Sequence, residues 1–422
     1  MLKRRRLVLV KPVAALLLLS FVPFGYGGIS YATTARPSAP VSIWVANQGS
    51  GTISEISSST GTVSRTITIA TVEDTQPIAV DTSGNLWTVN EHNKVSEING
   101  STGTVSHTIA VGDNPRAIAV DSLGKLWVGN YGSNTVSEIN GSTGGVSHTI
   151  TVGKEPGPIA VDSSGNVWVG NFGSNSVSEI NGATGAVTRT IAVGGKPGTI
   201  AVDSSGKVWV GNWESGTVSE IDASTGAVSH TIKLSRGPQE MAVDSSGNVW
   251  VTEFLGNTVS EINGSSGAVS HTIAVGANPL AIAMDSSSHL WIANYGGNSV
   301  SEINGATGTV SHTINVGEKP SAIAMDSSGH LWVANRGSGT VSEINRSTGT
   351  VSRTITVGNA PMAIIVGHAS VGVVDQNSNT APHAAKPTGP LDKAREAAKE
   401  QEKAAAIAAE KRKAALKLVP KF

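Results

Sequence analysis

The chain has 422 residues, 49 of them glycine, with 14% charged residues, no cysteine and a formal net charge of −1. Without cysteine there can be no disulfide framework, thiolate metal site, cysteine nucleophile or lipid-modified cysteine anchor. Excluding the basic stretches at the two ends described below, the body carries a net charge of about −10, which argues against nucleic acid as a partner.

In chain order, the first feature is a basic start, Lys3, Arg4, Arg5 and Arg6, followed by an apolar stretch over 7–24 broken by Lys11, Pro12 and Pro23. In Ser30-Tyr31-Ala32, Ser30 and Ala32 then supply small residues at the spacing a signal peptidase favours. We expect a cleaved signal peptide over 1–32, a short linker over 33–40 and therefore an exported protein, at the cell surface, in the periplasm or outside the cell. An uncleaved segment would be the one route to a membrane.

From residue 41 the sequence repeats. Trp44, Trp87, Trp127, Trp168, Trp209, Trp250, Trp291 and Trp332 recur at intervals of 40 to 43 residues. The clearest copy, 158–193, holds four strand-like runs, a to d, at 159–162, 167–171, 177–181 and 187–193. Each is bounded by turn residues. Four short strands per copy, eight copies in a row, predict an all-β, eight-bladed β-propeller of four-stranded antiparallel blades over 41–367. The first copy lacks strand a, and a matching run sits at 361–366. Pairing of that run with the N-terminal blade would close the ring and remove exposed sheet edges.

Positions identical in every blade answer a need every blade shares. The eight Trp are expected to form the structural core by filling the gaps between neighbouring blades, each worth ~3–5 kcal/mol. Asp81, Asp121, Asp162, Asp203, Asp244, Asp285 and Asp326 end strand a before a turn, where a carboxylate can accept backbone N–H groups. One isolated Asp per blade predicts no metal site. Strand c holds Glu55, Glu97, Glu138, Glu179, Glu220, Glu261, Glu302 and Glu343. Strand d answers with Arg65, His107, His148, Arg189, His230, His271, His312 and Arg353. Cross-strand pairing at the rim is expected, worth ~0.2–1 kcal/mol per pair.

Positions that vary are where function can reside. Alternating strand direction puts the a–b and c–d turns on one face and the b–c and d–a loops on the other. The residue opening each b–c loop reads Gln48, Glu91, Tyr131, Phe172, Trp213, Phe254, Tyr295 and Arg336. Every Tyr and Phe between 41 and 367 occupies this position, as does the one Trp outside the core register. Tyr131, Phe172, Trp213, Phe254, Tyr295, Arg336 and Glu91 are therefore the candidate ligand-binding residues, since aromatic and Arg side chains dominate binding hot spots. The d–a loops add charge around them, from Asp113, Arg116, Lys154, Glu155, Lys196, Arg236, Glu240, Glu318 and Lys319.

Beyond residue 367 the composition shifts to a Pro/Asn/Ala/Thr linker (368–390) and an Ala/Glu/Lys-rich segment (391–418) expected to form a short solvated helix.

The repeat resembles the YVTN family of β-propeller repeats, through Trp-Val-Gly-Asn (127–130), Asn-Thr-Val-Ser-Glu-Ile-Asn (134–140), Thr-Gly (143–144), Thr-Ile-Thr-Val-Gly (149–153), Pro156 and Ile-Ala-Val-Asp (159–162). That resemblance implies an extracellular or cell-surface propeller. Trp250-Val251-Thr252-Glu253, with Glu253 standing where all seven other blades carry Asn, is similar to the streptogramin (virginiamycin B) lyases. Those propellers open a cyclic antibiotic with a His/Glu pair and a divalent metal. Under that reading Glu253, His92 and Glu91 are the candidate catalytic residues and Mg²⁺ the cofactor; otherwise no cofactor is expected. The reading favoured by the residues is a monomeric binding or scaffold module for an envelope ligand, a glycan or a protein. The alternatives are a lyase and a purely structural envelope protein docked by its tail.

Overall fold

A computed structural model describes residues 41–69, 77–90, 92–285 and 287–367. The expected signal peptide, both linkers, the helical tail and the candidate Glu91 lie outside the described residues. Within them are eight antiparallel four-stranded sheets, which we number as blades 1 to 8 with strands a to d. Blade 4 is representative: strand a is Pro156–Val161, b Asn166–Asn171, c Ser176–Asn181 and d Ala186–Ala192. Helix is limited to one 3-10 turn at Gln48–Ser50 among the described residues. In blade 1, strand a comes from the far end of the chain: Pro361–Gly367 pairs antiparallel with strand b, Ser42–Asn47, setting Ile43 opposite Val366 and Val45 opposite Ile364.

Strands a to c are almost wholly buried, whereas strand d is exposed along most of its length. Each blade thus hides both faces of its inner strands against its two neighbours. The core divides accordingly into one cluster per blade interface. Trp127 of blade 3 packs on Ile159, Val161 and Val167 of blade 4, and Trp332 of blade 8 packs on Ile43, Val45 and Ile364 of blade 1. All eight register Trp are at most 3% exposed.

The Asp that ends strand a does more than cap its turn. In blades 2 to 8 one carboxylate oxygen accepts backbone N–H groups two and four residues on, as Asp162 does from Ser164 (2.9 Å) and Asn166 (2.8 Å). The other oxygen receives the indole N–H of the core Trp: Trp168 Nε1 donates to Asp162 Oδ2 at 3.0 Å, with equivalent bonds in blades 2, 3, 5, 6 and 8. Turn and core are thereby tied through one buried carboxylate. Blade 7 departs from this. Arg346, from the next blade, takes Asp285 Oδ2 at 3.0 Å, and Trp291 Nε1 is buried without a partner among the described residues. Its turn is also unusual, because Ser288 holds the left-handed conformation (φ 60°) that glycine occupies in blades 2 to 6 and 8.

The Glu–base pairs form in all eight blades. Five are His Nδ1 to Glu at 2.5–2.8 Å, and three are Arg to Glu at 2.5–3.3 Å. A β-bulge recurs in every c–d pair directly after the Glu, as between Glu138 and Ile139. The extra residue brings the base directly opposite its Glu and bends the outermost edge, which discourages edge-to-edge pairing with another chain. The carboxylates are buried rather than rim-exposed, at 3–10% of the side chain. Burial pushes Glu55 up, but hydrogen bonds from Arg65, Ser42 and Ser64 and the Arg65 charge outweigh it, leaving its pKa lowered. Some bases also reach the neighbouring blade: Arg65 donates to the Gly100 and Ser101 carbonyls, and Arg189 to those of Ala223 and Ser224.

Candidate functional site

The b–c and d–a loops meet at one end of each blade and are joined by a repeated backbone clamp. The first b–c residue donates its N–H to the carbonyl of the last residue of the d–a loop, and the second b–c residue donates to that of the residue before it. In blade 3 these are Tyr131 to Asn114 (3.0 Å) and Gly132 to Asp113 (2.9 Å). The same pair recurs in blades 1, 4, 5, 7 and 8. The clamp brings two chain positions so close that one must be glycine. A Cβ on Gly132 would lie 3.1 Å from Asp113 Cβ, and one on Gly337 would lie 2.8 Å from Glu318 Cβ. In blade 5 the glycine changes sides, with Gly195 facing Glu214.

The last residue of strand b is a buried Asn in seven blades, and in six of them its Nδ2 donates to hydroxyls on or at the start of strand c, as Asn130 does to Thr135 and Ser137. In blade 2 Asn90 Oδ1 instead accepts the N–H groups of His92 and Lys94, shaping a different loop.

The five aromatic residues that open b–c loops are half-buried, and four of them form two pairs. The Tyr131 and Phe172 centroids are 6.5 Å apart, those of Phe254 and Tyr295 6.4 Å, both tilted by 46°. Trp213 lies between the two pairs in blade order, backed by Gly237, where a Cβ would collide with the Trp213 carbonyl. The two pairs differ in electrostatics. Arg116 stacks 4.5 Å from the Tyr131 centroid and Lys196 lies 5.7 Å from that of Phe172. Tyr131 donates its hydroxyl to Glu155 at 2.8 Å, and Lys196 pairs with Glu214 at 3.3 Å. Burial first, then the bond to Glu155, raises the Tyr131 pKa to about 12. No cation stacks on Phe254 or Tyr295 among the described residues, and the loop residue beside them, Leu255, is 57% exposed. Across the ring from the aromatic arc, Arg336 donates to Gln48 at 3.3 Å, joining blades 8 and 1.

The residues singled out for catalysis do not come together. His92 is exposed on the b–c loop of blade 2. Glu253 lies on blade 6 with no exposed surface. Its Oε2 accepts the Arg236 N–H (2.7 Å) and the Ser235 hydroxyl, and its Oε1 the Ser260 hydroxyl (2.5 Å). Among the described residues no three His, Asp or Glu side chains stand close enough to hold one metal ion.

The sequence reading passed over how thoroughly blade 6 is rebuilt. Where blade 3 has Gly112 and Ser133, blade 6 has Ser235 and Gly256: the hydroxyl has moved from the b–c loop to the d–a loop. The two positions compete for one space, since a Cβ on Gly112 would meet the Ser133 hydroxyl. Glu240 on strand a, buried at 7%, replaces a small or apolar residue and accepts the Ile282 N–H of blade 7 at 3.2 Å. Superposing the repeats position by position would have exposed these coupled changes; reading each motif separately did not.

Residues 104–380 match the profile of the Virginiamycin B lyase family. No curated protein matches the sequence. Among solved structures, the fold is similar to dihydro-heme d1 dehydrogenase NirN in complex with DHE (TM-score 0.68, 13% identity, 81% of this chain and 78% of that one). It is also similar to apo AztD from Citrobacter koseri (0.61, 10%, 79% and 99%). A third similar structure is a catalytically inactive form of virginiamycin B lyase from Staphylococcus aureus with quinupristin (0.52, 20%, 62% and 91%). At these identities the likeness is one of fold.

Proposed function

Since the chain belongs to the Virginiamycin B lyase family, we propose that it uses the family's propeller as an exported recognition module, binding an envelope ligand through the face built from b–c and d–a loops. The observation that carries this reading is the confinement of Tyr131, Phe172, Trp213, Phe254 and Tyr295 to one loop position on five consecutive blades. Ring contacts and stacked cations hold four of these rings in place before any ligand arrives. Preorganised, half-buried aromatics give large contact area at little entropic cost. A glycan or a peptide-bearing wall polymer fits such a surface.

Family membership favours a second reading, a lyase. Its chemistry needs an acid–base pair within hydrogen-bond reach of one substrate. Glu253 could reach a substrate only by giving up three hydrogen bonds. The described residues do not fit a divalent-metal centre, so we derive no step through one.

The test is co-sedimentation with purified peptidoglycan sacculi, alongside turnover of quinupristin with Mg²⁺. Recognition predicts that Trp213→Ala combined with Phe254→Ala loses sacculus binding while the urea midpoint stays near that of the parent. Unfolding of this variant would make the rings packing rather than binding groups. Quinupristin opening that is lost in Glu253→Gln or His92→Ala would establish the lyase instead.

A further inference from the structure

Among the blades whose b–c and d–a loops are both fully described, blade 6 is the one in which the glycine rule of the loop clamp is broken. The two facing positions, separated by N–H···O contacts of 2.8–3.0 Å in six blades, pair a glycine with another residue in every one of them. In blade 6 they are Leu255 and Arg236, and neither can yield space. The clamp is accordingly absent, and the b–c turn is left with the bonds that clamped blades also make at this point: Gly256 and Asn257 donate to the Glu253 carbonyl at 2.9 and 3.0 Å, as Gly297 and Gly216 do to those of Asn294 and Asn212. The d–a loop is held by the Glu253 carboxylate, through the Ser235 hydroxyl and the Arg236 N–H. Residue 237 also leaves the left-handed conformation adopted at Asn114, Glu155, Lys196, Asn278, Lys319 and Ala360. The buried carboxylate, the displaced serine and the altered loop path are therefore one coupled change. Its product is that two side chains, one apolar and one cationic, are displayed where other blades show at most one.

We propose that this displayed pair is the specificity element of the recognition face, and that it takes an amphipathic anion: a ligand bearing an aromatic or branched apolar group next to a carboxylate or similar negative group. Leu255, 57% exposed, follows Phe254 directly, so an exposed apolar side chain and the Phe254–Tyr295 ring pair share one loop as an apolar platform. Asn278 fixes the edge of that platform by donating to the Phe254 carbonyl at 3.1 Å. Arg236 is exposed, and only its backbone N–H is engaged among the described residues, so its guanidinium is free for an anion. On blades 3 to 5 Arg116 and Lys196 are already spent on rings and a carboxylate, and the exposed Lys154 faces Gly173 across the clamp rather than an apolar side chain, which leaves blade 6 as the place where an open cation and an exposed apolar side chain face each other. Glu253 is then a positioning residue for this element. The proposal rests on the reading of this face as a binding surface, and specifies its ligand.

The test uses two fluorescent probes of similar shape, the anionic 1-anilinonaphthalene-8-sulfonate and the uncharged N-phenyl-1-naphthylamine, with the full chain. The expected result is saturable binding that favours the anion. Leu255→Gly should weaken both probes at least tenfold, and Arg236→Gln should weaken the sulfonate alone. Because Glu253→Asn alone could disturb folding, it is combined with Ser235→Gly, Gly256→Ser and Leu255→Gly, which restores the repeat pattern. That variant should keep its urea midpoint and lose the probe. Unchanged sulfonate affinity in Leu255→Gly, or equal weakening of both probes in Arg236→Gln, overturns the assignment. If sacculus binding persists in the blade 6 variants but fails in Trp213→Ala with Phe254→Ala, the face binds and blade 6 is not its specificity element. If probe binding follows the pattern above while no variant affects sacculi, the envelope-ligand reading falls and the blade 6 site stands.

Discussion

Two core tryptophans with the same register and burial should respond oppositely to loss of one N–H group. Trp168 donates to Asp162 at 3.0 Å, whereas Trp291 Nε1 is buried with no partner among the described residues because Arg346 occupies Asp285. Replacing either with Phe removes roughly 40 Å² of apolar contact, worth about 1 kcal/mol at about 25 cal/mol per Å². At Trp168 the change also deletes a buried hydrogen bond to a carboxylate, worth ~1.5–3 kcal/mol. The total for Trp168→Phe is ~2.5–4 kcal/mol. At Trp291 the deleted group is an unsatisfied buried donor, whose removal returns ~1–3 kcal/mol and leaves Trp291→Phe near neutral or mildly stabilising. Urea unfolding of the two variants in parallel reads the difference: with an m-value of about 3 kcal/mol per M, their midpoints should separate by about 1–2 M. Equal midpoints, or a larger loss in Trp291→Phe, would refute the view that the Asp–indole bond ties turn to core.

Further expectations follow from local geometry. Ser288→Gly relieves a left-handed serine and should stabilise by ~1 kcal/mol, seen as a higher urea midpoint. Tyr131 has a folded pKa of about 12, above its unfolded value of about 10. Its contribution is complete below pH ~10 and fades as pH rises through about 12; absorbance at 295 nm should show a late phenolate step that Tyr131→Phe abolishes and Glu155→Gln moves earlier. Asp222 is held at about 2 by the Ser224 hydroxyl and the Thr225 N–H. Its contribution is present above its unfolded pKa of 3.8 and lost as pH falls through about 2. Asp222→Asn, the residue of six other blades, should therefore fold normally and flatten the acid limb of the stability–pH curve.

Legibility from sequence followed periodicity. The strand runs, the turns, the Trp register and the Glu–base partners repeat eight times, so any local rule that holds once is checked seven more times by the chain itself. What escaped was of two kinds. Some was three-dimensional: the Asp162 carboxylate reads as a turn cap, and nothing in the spacing of Asp162 and Trp168 says that its second oxygen meets the indole. The c–d bulge likewise cannot be read from Val-Ser-His, although it is what brings His148 opposite Glu138. The rest was relational. Glu253 stands out as a missing Asn, and a lone acid at the end of a strand suggests chemistry. Only with Ser235, Arg236, Leu255 and Gly256 beside it does it become a brace. The aromatic arc was visible as a list of positions, but its division into a cation-covered pair and an open pair depends on Arg116, on a strand a, and Lys196, on a d–a loop.

The pairing of Ser42 with Gly367 fixes how the molecule can be hung. Strand b of blade 1 starts, and its strand a ends, on the side of the monotonous a–b and c–d turns. Both directions of the polypeptide therefore leave from one point there, opposite the aromatic loops. An attachment made close to Ser42 or Gly367 would turn the varied surface outward, like a dish mounted from behind.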